Sequence, residues 1–143
     1  MKCQKAQQDV RQRGTYDLEA LEELIASLHE ASCEGAAIIV EGRRDEMALR
    51  SLGLPGPVIM ASRRSALDLA EDAARNFPRI VLLTDWDEKG DEMAKKIEMH
   101  LRSAGLKPDI EIRSRIAKLV RKEIKDVQSL SQYAERMRAQ YGN

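Results

Sequence analysis

Cysteine is almost missing from this chain of 143 residues: only Cys3 and Cys33 occur. They form no CxxC pair and have no Cys/His cluster around them, so the sequence indicates neither a disulfide framework nor a zinc site. Reduced thiols in a cytoplasmic protein are the simple expectation. Aromatic residues are equally scarce, with one Phe, one Trp and three Tyr. A core built from the 43% apolar residues must therefore be aliphatic. Excess charge is lacking too: 24 acids stand against 24 Lys plus Arg. That balance argues against a protein that coats nucleic acid through bulk charge, though not against a local patch. No apolar run approaches the roughly 20 residues that span a bilayer. The start of the chain, Met1 to Arg13, is polar and lacks an apolar signal segment. No membrane association is expected.

What is present is concentrated in two strings, Val40-Glu41-Gly42-Arg43-Arg44-Asp45 and Leu83-Thr84-Asp85-Trp86-Asp87-Glu88-Lys89-Gly90. Each begins as a short apolar run of the kind that forms a buried strand, and each run stops at acids. In an open α/β sheet, ligands bind outside the carboxyl ends of the strands. Glu41, Asp85 and Asp87 therefore fall where such a fold builds its site.

Around these strings the pattern alternates. Residues 1–14 read as a polar, frayed tail, followed by a helix over Asp17–Ser32 capped by Thr15 or Asp17. Strand Ala36–Val40 leads to a helix over Arg44–Leu52, a turn at Leu54–Pro57 and a short strand, Val58–Met60. Ser62–Ser65 opens a third helix, which ends at Asn76-Phe77-Pro78. Strand Arg79–Thr84, helix Gly90–Ala104 and a fourth strand, Asp109–Ile112, follow. Ser114–Tyr141 reads as one or two amphipathic helices. Alternation of this kind predicts a mostly parallel four-stranded sheet flanked by helices. The expected divisions are an N-terminal tail and helix (1–34), the α/β domain (35–113) and a helical extension packed on that domain (114–143). The three acids share one edge if the first and third strands are neighbours.

Asp85 and Asp87 are two residues apart, so in extended backbone both side chains point the same way. Such a pair can hold one or two cations, and without one the like charges repel. Three converging carboxylates with little else suggest a magnesium site working on phosphates, with manganese as a substitute. The plainer reading of Asp87 is a cap for the helix starting near Gly90. Gly42 permits a sharp turn or close approach to a phosphate. Asp45 favours the positive end of the following helix. Arg43-Arg44 and Arg63-Arg64 follow predicted strands on the same edge and suit bidentate phosphate contact, or are surface arginines. Lys89 contacts phosphate or balances its acidic neighbours. Trp86 packs against a loop or helix, or stacks on a base. Arg113, Arg115, Lys118, Arg121, Lys122 and Lys125 make a basic run with one acid, Glu123. It is either a phosphate-backbone surface or a solvated helix face.

Together these residues resemble the Toprim domain, the metal-binding module shared by bacterial primases, type IA and type II topoisomerases and small maturation nucleases for ribosomal RNA. Glu41, Gly42 and Asp45 match its strand ending in Glu-Gly with a following Asp. Asp85, Asp87 and Gly90 match its later Asp-x-Asp-x-x-Gly. The resemblance covers Gly35 to Ile112 and is nearest the small stand-alone Toprim proteins of archaea and bacteria. It implies a Toprim-like sheet, Glu41 as general acid/base or metal ligand, and Asp85 and Asp87 as holders of Mg2+. Gly42, Arg43, Arg44, Asp45, Arg63, Arg64, Lys89 and Gly90 would lie against the substrate. The Gly-Thr of primases after the second strand is replaced by Ser62-Arg63-Arg64-Ser65. The sequence has no topoisomerase tyrosine domain and no primase zinc-binding domain.

Two functions follow as expectations. One is a Mg2+-dependent phosphoryl-transfer enzyme on RNA or DNA, nuclease-like or primase-like. The other is a nucleic-acid-binding or assembly module without catalysis, in which the C-terminal helices dock a protein partner. A dehalogenase-type phosphatase is disfavoured, because Lys89 stands where its motif needs Thr and the acid pair follows a later strand.

Overall fold

The computed structural model describes residues 2–142, with side-chain environments from residue 10 onward. Helix α1 (Lys2–Cys33) precedes strand β1 (Ala37–Val40), α2 (Arg43–Ser51) and β2 (Val58–Met60). A short 3-10 turn (Ala61–Arg63) leads into α3 (Ala66–Asn76), β3 (Ile80–Leu82) and α4 (Glu88–Ser103). Helices α5 (Glu111–Val120) and α6 (Leu130–Tyr141) complete the order.

The sheet is parallel, in the order β2-β1-β3. Ile38 pairs with Val58 on one side of β1 and with Val81 on the other. The first and third strands are thus neighbours. Every residue of β1 and β3 is buried, which is why both read as unbroken apolar runs. Alternate residues serve opposite faces. Ile38, Val40, Val81 and Leu83 join α1, α5 and α6 in one core. Ala37, Ile39, Ile80 and Leu82 pack with Leu69, Ala70 and Ala73 of α3 and with Ile97 and Leu101 of α4.

The expected fourth strand is corrected. Only Asp109 bridges to Val81, and helix α5 begins at Glu111. The Asp109 carboxylate decides this: its Oδ1 accepts the N–H groups of Glu111 and Ile112, at 3.0 and 3.4 Å, and so starts a helix. The N-terminal expectation also changes. Residues 2–14 continue α1 instead of fraying, as their Lys, Gln, Ala and Arg content permits; Met1 lies outside the described residues. Thr15 sits inside that helix, and its hydroxyl donates to Arg11 O at 3.0 Å rather than capping a start. Gly14 is buried there because the Tyr141 ring of α6 occupies the space a Cβ would take.

Leu21 and Leu28 of α1 are fully buried against this core. Leu28→Ala should lower unfolding free energy by about 3 kcal/mol in urea titrations, the cost of lost burial plus a cavity. Glu19→Ala, on the exposed face, should change it by less than about 0.5 kcal/mol. Equal effects would contradict the packing of α1.

Candidate functional site

Strands β1 and β3 end side by side, and their acids meet. The main-chain N–H of Asp85 donates to Glu41 Oε2 at 2.9 Å, joining positions 44 residues apart. The Asp85 carboxyl also lies within hydrogen-bonding reach of the Glu41 side chain. Asp85 Oδ1 accepts the Val127 N–H at 2.9 Å. Asp87 Oδ1 accepts the Gly90 N–H at 2.7 Å, capping α4. Asp45 is buried, and its Oδ2 accepts the Gly42 N–H at 3.0 Å, so its role in α2 is a capping one.

Burial pushes the Asp85 carboxyl up to about 7, the Val127 N–H opposes that rise, and the nearby Asp45 and Glu41 carboxylates reinforce it. Asp45 is raised as well, first by burial and further by Glu41 and Asp126, against the opposing N–H of Gly42. This is a pocket of negative charge that main-chain dipoles orient but do not neutralise.

Gly90 has a clear structural reason. A Cβ there would collide with the Asp85 carbonyl, so only glycine lets α4 begin this close to the acid-bearing loop. The Thr84 hydroxyl donates to Gly90 O at 2.9 Å and tightens the same turn.

Arg113 departs from both readings of the basic run, the phosphate-backbone surface and the solvated helix face. It is turned inward: Nε donates to Thr84 O at 2.8 Å, and one terminal nitrogen donates to Asp85 O and Asp91 Oδ1, both at 2.6 Å. Trp86 is buried, which removes it as a stacking platform for a base; its indole N–H donates to Ile124 O at 2.8 Å. The other basic candidates divide. Arg43, Arg44, Arg63 and Lys89 are exposed. Arg64 is held in a 2.8 Å ion pair with Asp72, which lowers the Asp72 carboxyl below its ordinary range. Asp126 and the amides of the segment before α6 reach the acids, and no side-chain motif announced them.

The chain matches the Toprim domain over residues 36–119. It belongs to the Toprim family. Similar proteins include the UPF0292 protein of Methanosarcina barkeri, 44% identical over 125 residues that make up 87% of each chain. The UPF0292 protein of Pyrococcus abyssi is 45% identical over 96 residues, 66% of this chain and 70% of that one. A solved structure of a protein from Aquifex aeolicus superposes with a TM-score of 0.65 at 28% identity, covering 76% of this chain and 95% of the other. Toprim membership suggests a metal-binding function associated with nucleic acid. No helix among the described residues is long and apolar enough to cross a membrane.

The chemistry of the site fits the hard divalent cation that Toprim domains generally take. Its donors are carboxylate oxygens, and its charge is uncompensated. Its geometry is open: among the described residues no three His, Cys, Asp or Glu side chains gather closely enough to enclose an ion.

The raised Asp85 has a thermodynamic signature. Its folded pKa, near 7, exceeds the ordinary carboxylate value of about 4. Between those values the folded state binds more protons than the unfolded state, so ionising Asp85 costs stability as pH rises through the window. Asp85→Asn remains neutral and keeps an oxygen for the Val127 N–H. In chelator-treated protein, its stability relative to wild type should therefore improve from pH 4 to pH 7 and level off above. A difference that stays flat across pH, measured by urea unfolding, would refute the buried charge.

Proposed function

We propose that this Toprim protein is a Mg2+-dependent phosphoryl-transfer enzyme acting on RNA or DNA, nuclease-like or primase-like, with Mn2+ as a functional substitute. The observation that carries this reading is the meeting of Glu41 and Asp85 at adjacent strand ends, with negative charge that a cation would balance. Glu41, Asp85 and Asp87 are the residues that would hold the metal. When bound, magnesium would supply charge stabilisation at the phosphate and a more acidic water.

The protein's own groups take the remaining roles. Glu41 Oε2 is fixed by the Asp85 N–H, leaving Oε1 to accept or deliver a proton at the reacting phosphate. Asp85 and Asp87 each commit one oxygen to a main-chain N–H; the second oxygen of Asp87 would take a ligand, and that of Asp85 would do so once both it and Glu41 are ionised and their mutual contact is released. Gly42 is extended ahead of α2 and a Cβ there would meet only Ser62 Oγ at 3.9 Å, so the turn itself does not require glycine; its N–H serves as the donor to Asp45. Arg43, Arg44, Arg63 and Lys89 are exposed around these strand ends and would contact the nucleic-acid backbone. Arg64 would contribute only by giving up Asp72. Asp45 and Gly90 act through the backbone, by capping and by close approach.

The second reading is a nucleic-acid-binding or assembly module without catalysis. The open carboxylate geometry favours it, and the C-terminal helices would then offer the protein-docking surface.

Asp85→Asn/Asp87→Asn should abolish Mg2+-dependent cleavage or extension of labelled structured RNA and single-stranded DNA. Turnover that survives in the double variant would sink the enzymatic reading. Arg43→Ala/Arg44→Ala/Arg63→Ala should weaken binding to every sequence alike and flatten the dependence of log affinity on log salt by about two to three units, as loss of three phosphate contacts requires. An unchanged slope would remove these arginines from the interface. Salt-sensitive binding without turnover, equal in wild type and the double aspartate variant, would favour the binding module.

A further inference from the structure

The family match ends at residue 119, yet the acid-bearing loop is held from beyond that point. The connection between α5 and α6 lies against the loop that follows β3 and makes main-chain contacts with it. Val127 N–H donates to Asp85 Oδ1 at 2.9 Å. Trp86 N–H donates to Lys125 O at 3.1 Å, and the Trp86 indole N–H donates to Ile124 O at 2.8 Å. The Gln128 N–H lies within hydrogen-bonding reach of Asp45.

The segment is itself fixed at both ends. The N–H groups of Glu123 and Ile124 donate to Val120 O, continuing the end of α5. Asp126 Oδ1 accepts the Ser129 N–H at 2.7 Å, and the Leu130 N–H donates to Val127 O at 3.0 Å, where α6 begins. Val127 and Leu130 are fully buried in the core that α6 shares with α1 and β1. The connection is therefore a rigid bridge anchored in the core and not a loose tail lying over the site.

We propose that Ile124–Gln128 is the positioning element of the metal site, with Trp86 as its anchor and the Val127 amide as the group that sets the Asp85 rotamer. The proposal rests on the metal-binding reading above. The sheet brings Asp85 to its edge, where its carboxyl also reaches the Glu41 side chain, a contact that is lost once both groups are ionised to take a cation. A hydrogen bond from a fixed amide to one carboxylate oxygen selects one orientation, presenting the other oxygen to the cation. Trp86, directly after Asp85, locks the main chain through two further hydrogen bonds to the same segment. Groups of this kind, one bond removed from a metal ligand, are worth about 10- to 100-fold in metal affinity.

The test is a titration of Mn2+ into the full chain, with free ion counted by its electron paramagnetic resonance signal. Four proteins are compared: wild type, Trp86→Phe, Val127→Pro and Leu69→Ala. Trp86→Phe removes the indole N–H and keeps a ring. Val127→Pro removes the amide donor. Leu69→Ala removes fully buried packing of α3 on the opposite face of the sheet, away from the segment, so it reports what structural weakening alone does. Trp86→Phe and Val127→Pro should bind Mn2+ at least about tenfold more weakly than wild type, while Leu69→Ala stays within about twofold. If all three variants bind alike, the segment positions nothing. If far-ultraviolet circular dichroism shows that Val127→Pro does not fold, Trp86→Phe against Leu69→Ala decides the matter. A wild-type protein that binds no Mn2+ overturns the metal reading and this proposal together; wild-type binding with unaffected variants overturns this proposal alone.

Discussion

The Asp85 N–H donates to Glu41 Oε2, and so two carboxylates from distant parts of the chain are drawn together at the edge of the sheet. Like charges in a half-buried pocket repel, and the surroundings meet this cost in a consistent way. Glu41 receives the Asp85 amide, Asp45 the Gly42 amide, Asp87 the Gly90 amide and Asp85 the Val127 amide. Main-chain N–H groups carry partial charge only, so they orient carboxylates without cancelling them. The full positive charge nearest the loop, on Arg113, goes elsewhere. It satisfies the carbonyls of Thr84 and Asp85 and pairs with Asp91. An arginine aimed at Asp85 itself would have neutralised the site internally. This arrangement leaves the negative charge available.

The same constraint explains features that otherwise look incidental. Gly90 is needed because α4 must start against the Asp85 carbonyl to place its free N–H groups beside Asp87. Thr84 is buried because its hydroxyl closes that turn. Trp86 is buried although it stands between two acids, since its ring and N–H join the loop to the segment ahead of α6. Asp85, half-buried, and Asp87, exposed, flank it on a loop whose backbone is tied down at nearly every step.

Much of this was readable from sequence, for a physical reason. Buried parallel strands are continuous apolar runs, and Ala36–Val40 and Ile80–Leu83 stop abruptly at Glu41 and, after Thr84, at Asp85. Side-chain chemistry marks both the strand and its functional end. The Asp109–Ile112 run misled because its alternating apolar residues suit a strand, while the decisive fact was the carboxylate of Asp109 reaching forward to two amides. Residues 2–14 misled because a helix without an apolar stripe resembles a tail; the clue lay in Gly14 and its partner Tyr141, at the far end of the chain. Arg113 could be read as basic, but whether it faced phosphate or the Thr84 carbonyl depended on contacts across 22 to 29 residues. The bridge at Ile124–Gln128 was the least legible element. It works through main-chain donors and acceptors, which every residue carries and no sequence pattern distinguishes.

Charge placement also constrains the order of events under the proposed function. The chain is neutral overall, so long-range attraction to a polyanion is weak, and what matters is the field within a Debye length of about 8–10 Å. Inside that range the carboxylates and the exposed Arg43, Arg44, Arg63 and Lys89 oppose each other: the arginines attract a phosphate backbone and the acids repel it. A cation held by the acids removes the repulsion and turns both groups into attraction for the same ligand. Metal and nucleic acid should therefore bind with positive coupling, each raising the affinity of the other by the same factor, because linkage between two sites is reciprocal. The segment that fixes Asp85 enters this coupling directly. A carboxylate free to swing toward solvent would relieve the repulsion without a metal, and the nucleic acid would no longer sense whether the cation was there.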